Sequence, residues 1–262
     1  MSGKLDERCI VITGASRGYG RAIAHVFARE GAQLALLARS ENDLAKVEGE
    51  IRQSYGSVCF SIQTDVGKYD SVRAAFSEIY RKWVRVDGLV NNAAVVRPIG
   101  MISDLDPKEW QRTMDVDLNG PYFCAREALK TMMDGKGGCI INITSGLARF
   151  VLPRFSVYST AKGGLNTLTL YLAQELAPYS IRVFGLDPGV MDTDMQTSIR
   201  GTDVNLLGEE NEFIFRGYKE RGELNPPERS ARLALFLMAD AEMELSGQIG
   251  GISHFSQFGY QT

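Results

Sequence analysis

Short apolar runs alternate with longer stretches of helical periodicity through most of the chain. The apolar runs predict strands near 9–13, 33–38, 58–63, 86–91, 138–144 and 181–186, and a last short strand near 248–252. Between them, apolar residues recur at helical spacing near 19–30, 41–54, 69–84, 107–133 and 156–178. Strands that are joined through helices run parallel and need helices on both faces of their sheet. The pattern therefore predicts an α/β fold built on a parallel sheet.

No linker rich in proline or glycine divides this alternation, and 262 residues suit one large domain. We therefore predict a single doubly wound domain over residues 1–262, with a sheet of about seven strands. One segment, near 191–226, breaks the rhythm because it is polar and acidic and follows the sixth strand. Segments at the carboxyl edge of such a sheet cover the ligand crevice. We interpret this segment as a substrate lid, with a surface elaboration as the alternative.

Composition and charge narrow the range of partners. The formal net charge of −3 gives no basic field that would recruit nucleic acid or an anionic membrane, so neither is expected as a partner. No apolar run is long enough to span a bilayer, and the charged N-terminus has no apolar signal core, which predicts a cytoplasmic protein. The cysteines are scattered without a Cys-x-x-Cys pair, which predicts buried free thiols. With only two histidines, neither a histidine-based triad nor a metal site is predicted.

A glycine-rich turn between the first strand and the first helix is the strongest local motif. Gly14, Gly18 and Gly20 follow an apolar run and precede a helical stretch. Glycines let the backbone turn tightly and approach a pyrophosphate, while free N–H groups at the start of the helix point at the phosphates. The turn therefore predicts a dinucleotide site. Tyr19 lies inside the turn, and we expect its bulky side chain to shape the mouth of the cleft.

Tyr158, Lys162 and Ser145 are the candidate catalytic residues. Tyr158 and Lys162 are four positions apart, so they project from one face of a helix. A phenol ordinarily titrates at about pH 10, and an ammonium beside it lowers its pKa toward the working range. A serine hydroxyl from a strand end then holds a carbonyl or alcohol oxygen. Each residue alone has an ordinary structural explanation, but together with the glycine turn they predict proton transfer beside a hydride transfer.

These motifs resemble the short-chain dehydrogenases/reductases over nearly the whole chain. The matching segments are the glycine turn, Asp65-Val66, Asn91-Asn92-Ala93-Ala94, Ser145, Tyr158 with Lys162, and Asp187-Pro188-Gly189-Val190-Met191-Asp192-Thr193. The resemblance implies a Rossmann fold, a nicotinamide cofactor and association as a homodimer or homotetramer. The run 188–196 is also similar to sepiapterin and benzil reductases.

The resemblance implies a role for individual residues as well. Tyr158 is the general acid in reduction and the base in oxidation, Lys162 lowers its pKa and contacts the nicotinamide ribose, and Ser145 orients the substrate oxygen. The implied cofactor contacts, from the phosphates and adenosine to the nicotinamide end, are Gly14, Ser16, Arg17, Gly18, Tyr19, Gly20, Arg39, Ser40, Asp65, Val66, Asn92, Ala93, Tyr158, Lys162, Pro188, Gly189 and Thr193.

One position departs from the family pattern. Family members carry an asparagine in the helix before the fifth strand, which helps hold a water that links the lysine to solvent. Aligned on Gly120, this chain has Asp117 at that position. An aspartate keeps an oxygen acceptor but lacks the amide donors, and in its ionised form it stabilises Lys162 as a cation. Asp117 is therefore a further candidate catalytic residue, and its support of the proton relay is left open.

The end of the second strand bears on the choice of cofactor. NAD-preferring sites usually place an acid there, but the run 36–40 contains none. Arg39 follows the strand, and Arg17 lies in the glycine turn. Two guanidinium groups beside the ribose suit a 2′-phosphate through charge-assisted hydrogen bonds, although either one alone is explained as a surface charge. NADP(H) is therefore the predicted cofactor.

The leading functional hypothesis is an NADPH-dependent carbonyl reductase that acts on a small carbonyl or alcohol substrate. The alternatives are an enzyme like 3-oxoacyl-carrier-protein reductase and a non-catalytic regulator that senses NADP(H). The lid segment carries eight acidic and four basic residues, and an acidic entrance disfavours an anionic carrier-bound substrate. We therefore expect a small neutral dicarbonyl compound or related ketone. We interpret Arg97 as a surface charge, and the alternative is that it reaches the cleft and favours a polar or anionic group.

Overall fold

Seven parallel strands form one sheet in the computed structural model, which describes residues 3–134 and 137–261. The strands are β1 (Cys9–Thr13), β2 (Gln33–Ala38), β3 (Cys59–Gln63), β4 (Gly88–Asn91), β5 (Gly138–Ile143), β6 (Ile181–Leu186) and β7 (Ile249–Gly250). They are arranged in the order β3-β2-β1-β4-β5-β6-β7. The order reverses between β1 and β4, which places a ligand crevice at the carboxyl ends of these two strands. The predicted doubly wound α/β fold is confirmed.

Helices cover both faces of the sheet. They are α1 (Gly18–Arg29), α2 (Glu41–Tyr55), α3 (Tyr69–Lys82), α4 (Pro107–Met114), α5 (Gly120–Met132), α6 (Ser156–Leu176), α7 (Asp194–Arg200), α8 (Val204–Leu207), α9 (Glu209–Glu220), α10 (Pro227–Ala239) and α11 (Ile252–Phe255). The last short helix was not expected from the sequence. Among the described residues, no helix combines the length and apolar character that crossing a bilayer requires.

Two apolar clusters, one on each face of the sheet, form the core. Side chains alternate along each strand, so Ile10 and Ile12 of β1 pack in one cluster while Val11 packs in the other. Helices α1, α2 and α10 supply the first cluster, and α3, α5 and α6 supply the second. Because both faces are buried, the strands are apolar at nearly every position. The four cysteines are free thiols, as the sequence predicts, and burial raises the pKa of Cys139 to about 11.

The helix predicted over 107–133 is wrong as a single regular element. Between α4 and α5 the chain forms a wider π-helical turn over Asp115–Asn119. This turn directs Asp117 into the interior, where its Oδ1 accepts a hydrogen bond of 2.8 Å from the backbone N–H of Val95. Such turns are frequent at functional sites because they re-aim one side chain without ending the helix.

The polar segment after β6 folds into helices α7, α8 and α9. Its two ends meet, because the N–H of Asp192 donates to the carbonyl of Asn225 and the N–H of Asn225 donates to the carbonyl of Val190, both at 3.0 Å. A third apolar cluster joins these helices to the start of α6 and contains Ile199, Leu207, Phe215 and Tyr158. The segment therefore packs against the helix that carries the candidate catalytic tyrosine.

Candidate active site

A cleft of about 630 Å³ opens along the carboxyl ends of the strands. Fifteen of the residues predicted from the sequence border it, namely Gly14, Ser16, Arg17, Gly18, Tyr19, Arg39, Ser40, Asp65, Val66, Asn92, Ala93, Tyr158, Lys162, Pro188 and Thr193. The volume suits a cofactor-sized ligand by the usual dimensions of such sites. The four other predicted residues, Gly20, Asp117, Ser145 and Gly189, are placed by the contacts given below.

The glycine turn has the geometry that a dinucleotide phosphate needs. Gly14 and Gly18 have φ angles of 64° and 53°, which other residues rarely adopt. A Cβ at Gly20 would lie 2.3 Å from the carbonyl oxygen of Gly14, so this position requires glycine for the close packing of the turn. Helix α1 begins at Gly18 without a side-chain cap, which leaves its first N–H groups available to a phosphate.

Tyr19 borders the cleft, but the hydroxyl end of its side chain is directed into the protein interior. Its side chain is only 6% exposed, and its hydroxyl donates to the backbone carbonyl of Ser230 in α10 at 3.0 Å. The Oγ of Ser230 is 3.2 Å away. The ring is drawn into the interface between α1 and α10, a long-range contact that no local pattern predicts.

Asn92 and Ala93 hold the glycine turn in place through hydrogen bonds to Thr13 and Gly14. The Oγ1 of Thr13 accepts hydrogen bonds of 3.0 Å from both of their backbone N–H groups. The side-chain amide of Asn92 donates to the carbonyl oxygens of Thr13 at 2.9 Å and Gly14 at 3.2 Å. The side chain of Asn92 thus holds β1, the glycine turn and the end of β4 together, in addition to bordering the cleft.

At the predicted adenine end, Arg112 also borders the cleft, although no sequence pattern predicted it. Its Nη2 donates to Oδ1 of Asp65 at 3.0 Å, and the N–H of Gly67 donates to the same oxygen at 3.2 Å. Burial by itself raises the pKa of Asp65, but the hydrogen bond and positive charge of Arg112 outweigh it, so the pKa is lowered. Arg112 lies in α4, far along the chain from Asp65, so no local motif predicts the contact between them.

The two arginines predicted to bind a 2′-phosphate both border the cleft, together with an acid. Nη1 of Arg17 lies 3.6 Å from Oδ2 of Asp194 in a solvent-exposed pair of the kind that contributes little. Asp43 borders the cleft as well, and its pKa is lowered by a hydrogen bond from Ser40, the N-cap of α2. The Ser-x-x-Asp spacing of a helix start is the sequence signal that identifies Asp43.

Tyr158 and Lys162 project from the first turns of α6 into the cleft, and both are buried. Nζ of Lys162 donates to the carbonyl oxygen of Ile143, the last residue of β5, at 2.9 Å. It lies 5.7 Å from the centroid of the Tyr158 ring. Ser145 follows β5, and its Oγ accepts a hydrogen bond of 3.2 Å from the N–H of Leu147. The three predicted residues therefore meet at the end of β5.

The pKa of Tyr158 is raised, whereas the sequence analysis expected Lys162 to lower it. Burial is the main cause, and the negative charge of Asp117 adds to it. A hydrogen bond with the side chain of Ser145 acts in the opposite direction. The phenol is therefore held in its protonated form at neutral pH.

Asp117 and Lys162 form a buried ion pair. Asp117 is fully buried, Lys162 is 2% exposed, and Oδ2 of the aspartate lies 3.6 Å from Nζ of the lysine. Burial raises the pKa of Asp117 to about 6, and the charge of Lys162 opposes this shift. Burial also lowers the pKa of Lys162, with the charge of Asp117 acting against it. An aspartate at this position therefore titrates close to neutral pH.

The predicted nicotinamide end lies between β6 and the segment that follows it. Pro188 and Thr193 border the cleft, while Gly189 takes a φ of 73° and donates its N–H to Oδ1 of Asp187 at 3.1 Å. The sequence analysis missed several residues on this side that share the wall of the cleft. They are Ala94, Val95, Val96, Met191, Met195 and Ser198.

The acidic entrance inferred from charge counting is wrong. Four of the lid acids are engaged in ion pairs, namely Asp192 with Lys219, Asp194 with Arg17, Glu212 with Arg216, and Glu223 with Arg221. Of the eight acids, Asp194 is the one that borders the cleft within the described chain. Arg97 is exposed, as a surface charge is expected to be, and it also borders the cleft.

Comparisons with known proteins show the family to which the chain belongs. The profile of a family described as short chain dehydrogenase matches residues 8–203. A 3-oxoacyl-[acyl-carrier-protein] reductase of Aquifex aeolicus is 31% identical over 252 residues, which cover 95% of this chain and 97% of that protein. A 3beta-hydroxysteroid dehydrogenase of Mediterraneibacter gnavus is 33% identical over 260 residues, 94% of each chain. The solved structure of L-sorbose reductase from Gluconobacter frateurii, complexed with NADPH and L-sorbose, has a TM-score of 0.85 at 26% identity, covering 96% of this chain and 97% of its own.

Proposed function

The chain belongs to the short chain dehydrogenase family of oxidoreductases, and on this premise we propose that it is an NADPH-dependent reductase of small ketones and dicarbonyl compounds. The observation that carries the proposal is the meeting of Tyr158, Ser145 and Lys162 at the end of β5, beside a cleft that also contains the glycine turn. The narrower similarity to sepiapterin and benzil reductases stays a prediction.

The residues of the cleft fit a nicotinamide dinucleotide. The uncapped start of α1 and the glycine turn would hold the pyrophosphate, Arg17 and Arg39 the 2′-phosphate, and Asp65 with Val66 the adenine. Pro188, Gly189 and Thr193 would hold the nicotinamide end. When bound, the nicotinamide ring supplies or accepts the hydride.

In this proposal Tyr158 delivers a proton to the substrate oxygen while Ser145 orients that oxygen. A raised pKa keeps the phenol protonated at neutral pH, which is the form that a proton donor needs. Oxidation of an alcohol requires the phenolate, which burial and Asp117 both disfavour. The protonated phenol of the free protein is therefore the form that carbonyl reduction uses.

Lys162 and Asp117 act behind the phenol in this proposal. Lys162 would contact the nicotinamide ribose, and its hydrogen bond to Ile143 holds its stem at the end of β5. Asp117 keeps Lys162 charged when the carboxyl group is ionised, above a pH of about 6. Asp117 thus takes the position of the family asparagine and adds a charge that the amide lacks.

A substrate comparison tests the proposed function. We expect consumption of NADPH with benzil and sepiapterin at higher kcat/KM than with acetoacetyl-carrier-protein, under the same salt concentration. The packing of the lid helices against Tyr158 supports a small substrate, because it encloses the space beside the phenol. The similarity to the Aquifex aeolicus reductase favours the second candidate, a 3-oxoacyl-carrier-protein reductase, and a higher kcat/KM for the carrier-bound substrate would establish it instead. Tight NADPH binding without turnover of any carbonyl compound would point to a regulator.

We expect the enzyme to prefer NADPH over NADH by at least about tenfold in kcat/KM, or about 1.4 kcal/mol. The reason is the pair Arg17 and Arg39 beside the predicted ribose site. Steady-state kinetics with both cofactors measures the ratio, and Arg39→Ala should raise KM for NADPH while leaving KM for NADH nearly unchanged. Arg29→Ala, at the far end of α1, is the matched control. Equal efficiency with the two cofactors would contradict the prediction.

A further inference from the structure

Arg97 connects helix α4 with the segment that follows β6. It follows β4, and its backbone carbonyl accepts a hydrogen bond of 2.5 Å from Oγ1 of Thr113 in α4. Its Nη2 donates to the carbonyl oxygen of Ser198 at 3.1 Å and to Oγ1 of Thr202 at 3.0 Å. The side chain is therefore held at a fixed place on the wall that also contains Tyr158.

Among the residues that the structure describes, the charge of Arg97 has no partner of opposite sign. Two other arginines of the cleft are paired with carboxylates, Arg17 with Asp194 and Arg112 with Asp65. Within residues 3–134 and 137–261, no carboxylate forms an ion pair with Arg97. The acids of the lid that might have neutralised it are paired with other bases or lie away from the cleft. The end of the cleft near the lid is thus positive.

The contacts with Ser198 and Thr202 use only part of the hydrogen-bond donors of the guanidinium group. The two N–H bonds of Nη2 are directed to Ser198 and Thr202, which leaves the donors of Nε and Nη1. The neighbouring walls of the cleft are apolar and include Val95, Val96 and Met195. A guanidinium group that donates to a carboxylate forms charge-assisted hydrogen bonds, which are stronger than those between neutral groups.

We propose that Arg97 binds a carboxylate of the substrate, so that the preferred substrates are small oxo acids rather than neutral ketones. This inference rests on the proposed function, because it names the substrate class of the same site. The carboxylate would neutralise the guanidinium charge through its remaining donors. Because Arg97 also contacts Ser198, binding of the anion takes place directly beneath the lid helix α7.

Matched substrate pairs test the proposal, since a carboxylate and its methyl ester share the reacting ketone and differ in one charge. We use benzoylformate, 2-oxobutanoate and acetoacetate, each with its methyl ester, and measure kcat/KM with NADPH. The wild type should prefer at least one acid over its ester by tenfold or more, and the preference should weaken as salt is added. Arg97→Met should lower kcat/KM for that acid by tenfold or more and change the ester less than threefold, while Arg97→Lys retains part of the preference.

The matched control is Arg200→Met, which removes a positive charge from the lid at a residue outside the cleft wall. It should leave the ratio between acid and ester unchanged. Faster reduction of every ester than of its acid, or an equal loss for both members of a pair in Arg97→Met, would overturn the proposal.

Calorimetric titration with benzoylformate and its ester, in the presence of NADPH, tests carboxylate binding by Arg97 separately from reduction of the substrate. If neither compound is reduced and benzil and sepiapterin are not reduced either, the proposed function fails, but the titration still decides whether Arg97 binds the carboxylate. Binding of the acid that weakens at least tenfold in Arg97→Met supports the site. Acid binding that is unchanged in this variant, or absent from the wild type, refutes it.

Discussion

Replacing Tyr158 with phenylalanine is expected to lower kcat by about two orders of magnitude or more, the usual scale of general acid–base catalysis. The substitution removes the one hydroxyl that the proposed mechanism uses as a proton donor and keeps the ring that packs with Phe155 and Ile199. The phosphate-binding turn lies elsewhere in the cleft, so affinity for NADPH should change little. Turnover is measured with the best dicarbonyl substrate, and NADPH binding by fluorescence titration.

Tyr171→Phe provides the control for this experiment. Tyr171 lies on the same helix, α6, but its side chain is 64% exposed and faces away from the cleft wall. The same chemical change there should leave both turnover and cofactor affinity at wild-type values. If Tyr158→Phe keeps more than a tenth of wild-type turnover, the proton comes from another group and the assignment of Tyr158 is wrong.

The strands of this protein could be predicted because each one carries its own signal. The run that forms β1 is apolar at successive positions since the sheet is buried on both faces, and the glycine turn follows it at once. Tyr158 and Lys162 are equally local, because a spacing of four residues on a helix places two side chains on one face. Features that depend on a few neighbouring residues can therefore be predicted from the sequence.

The missed features depend on contacts between distant parts of the chain. Arg112 meets Asp65 across 47 positions, and the hydroxyl of Tyr19 meets Ser230 across 211. The π-helical turn at Asp115–Asn119 also has no sequence signature of its own, since its residues suit an ordinary helix. Such pairings are decided by how elements pack, and a pattern within one element does not contain that information.

The prediction of an acidic entrance formed by the lid failed for a related reason. A count of acids and bases measures total charge, whereas a ligand responds to the charges that face it. The excess of acids in the lid does not reach the cleft wall, because Asp194 is the one of the eight acids that borders the cleft within the described residues. Arg97 shows the converse, because one unpaired charge on the wall outweighs several paired charges outside it.

Asp117→Leu is expected to lower the free energy of unfolding by about 1–3 kcal/mol at pH 4, where the carboxyl group of Asp117 is protonated, the usual penalty for leaving a buried donor without an acceptor. Leucine is larger than aspartate and apolar, so it adds volume to a fully buried site. It also leaves the N–H of Val95 without its acceptor. Urea denaturation of the two proteins at pH 4 measures the difference. A loss below about 1 kcal/mol would mean that the hydrogen bond from Val95 to Asp117 contributes little to stability.

Asp117→Asn separates the hydrogen bond from the charge, because its amide oxygen can still accept from Val95. The folded-state pKa of Asp117, about 6, lies above its ordinary value of 3.8. Its contribution to stability is therefore fully present below the ordinary value and is lost as the pH rises to about 6. The asparagine does not titrate, so the variant should gain on the wild type by about 3 kcal/mol across this window, a two-unit shift at 1.36 kcal/mol per unit.

Urea denaturation of the wild type and of Asp117→Asn at intervals between pH 4 and pH 7 measures this difference. Parallel stability curves would show that Asp117 does not titrate in this range. The asparagine also restores the residue type that the family resemblance implies, so turnover should be retained. We expect a step near pH 6 in the pH profile of kcat for the wild type and no such step for the variant. Abolished turnover would instead mean that the negative charge beside Lys162 is required for catalysis. In that case the reaction of this chain depends on a carboxylate at the position where its relatives use an amide.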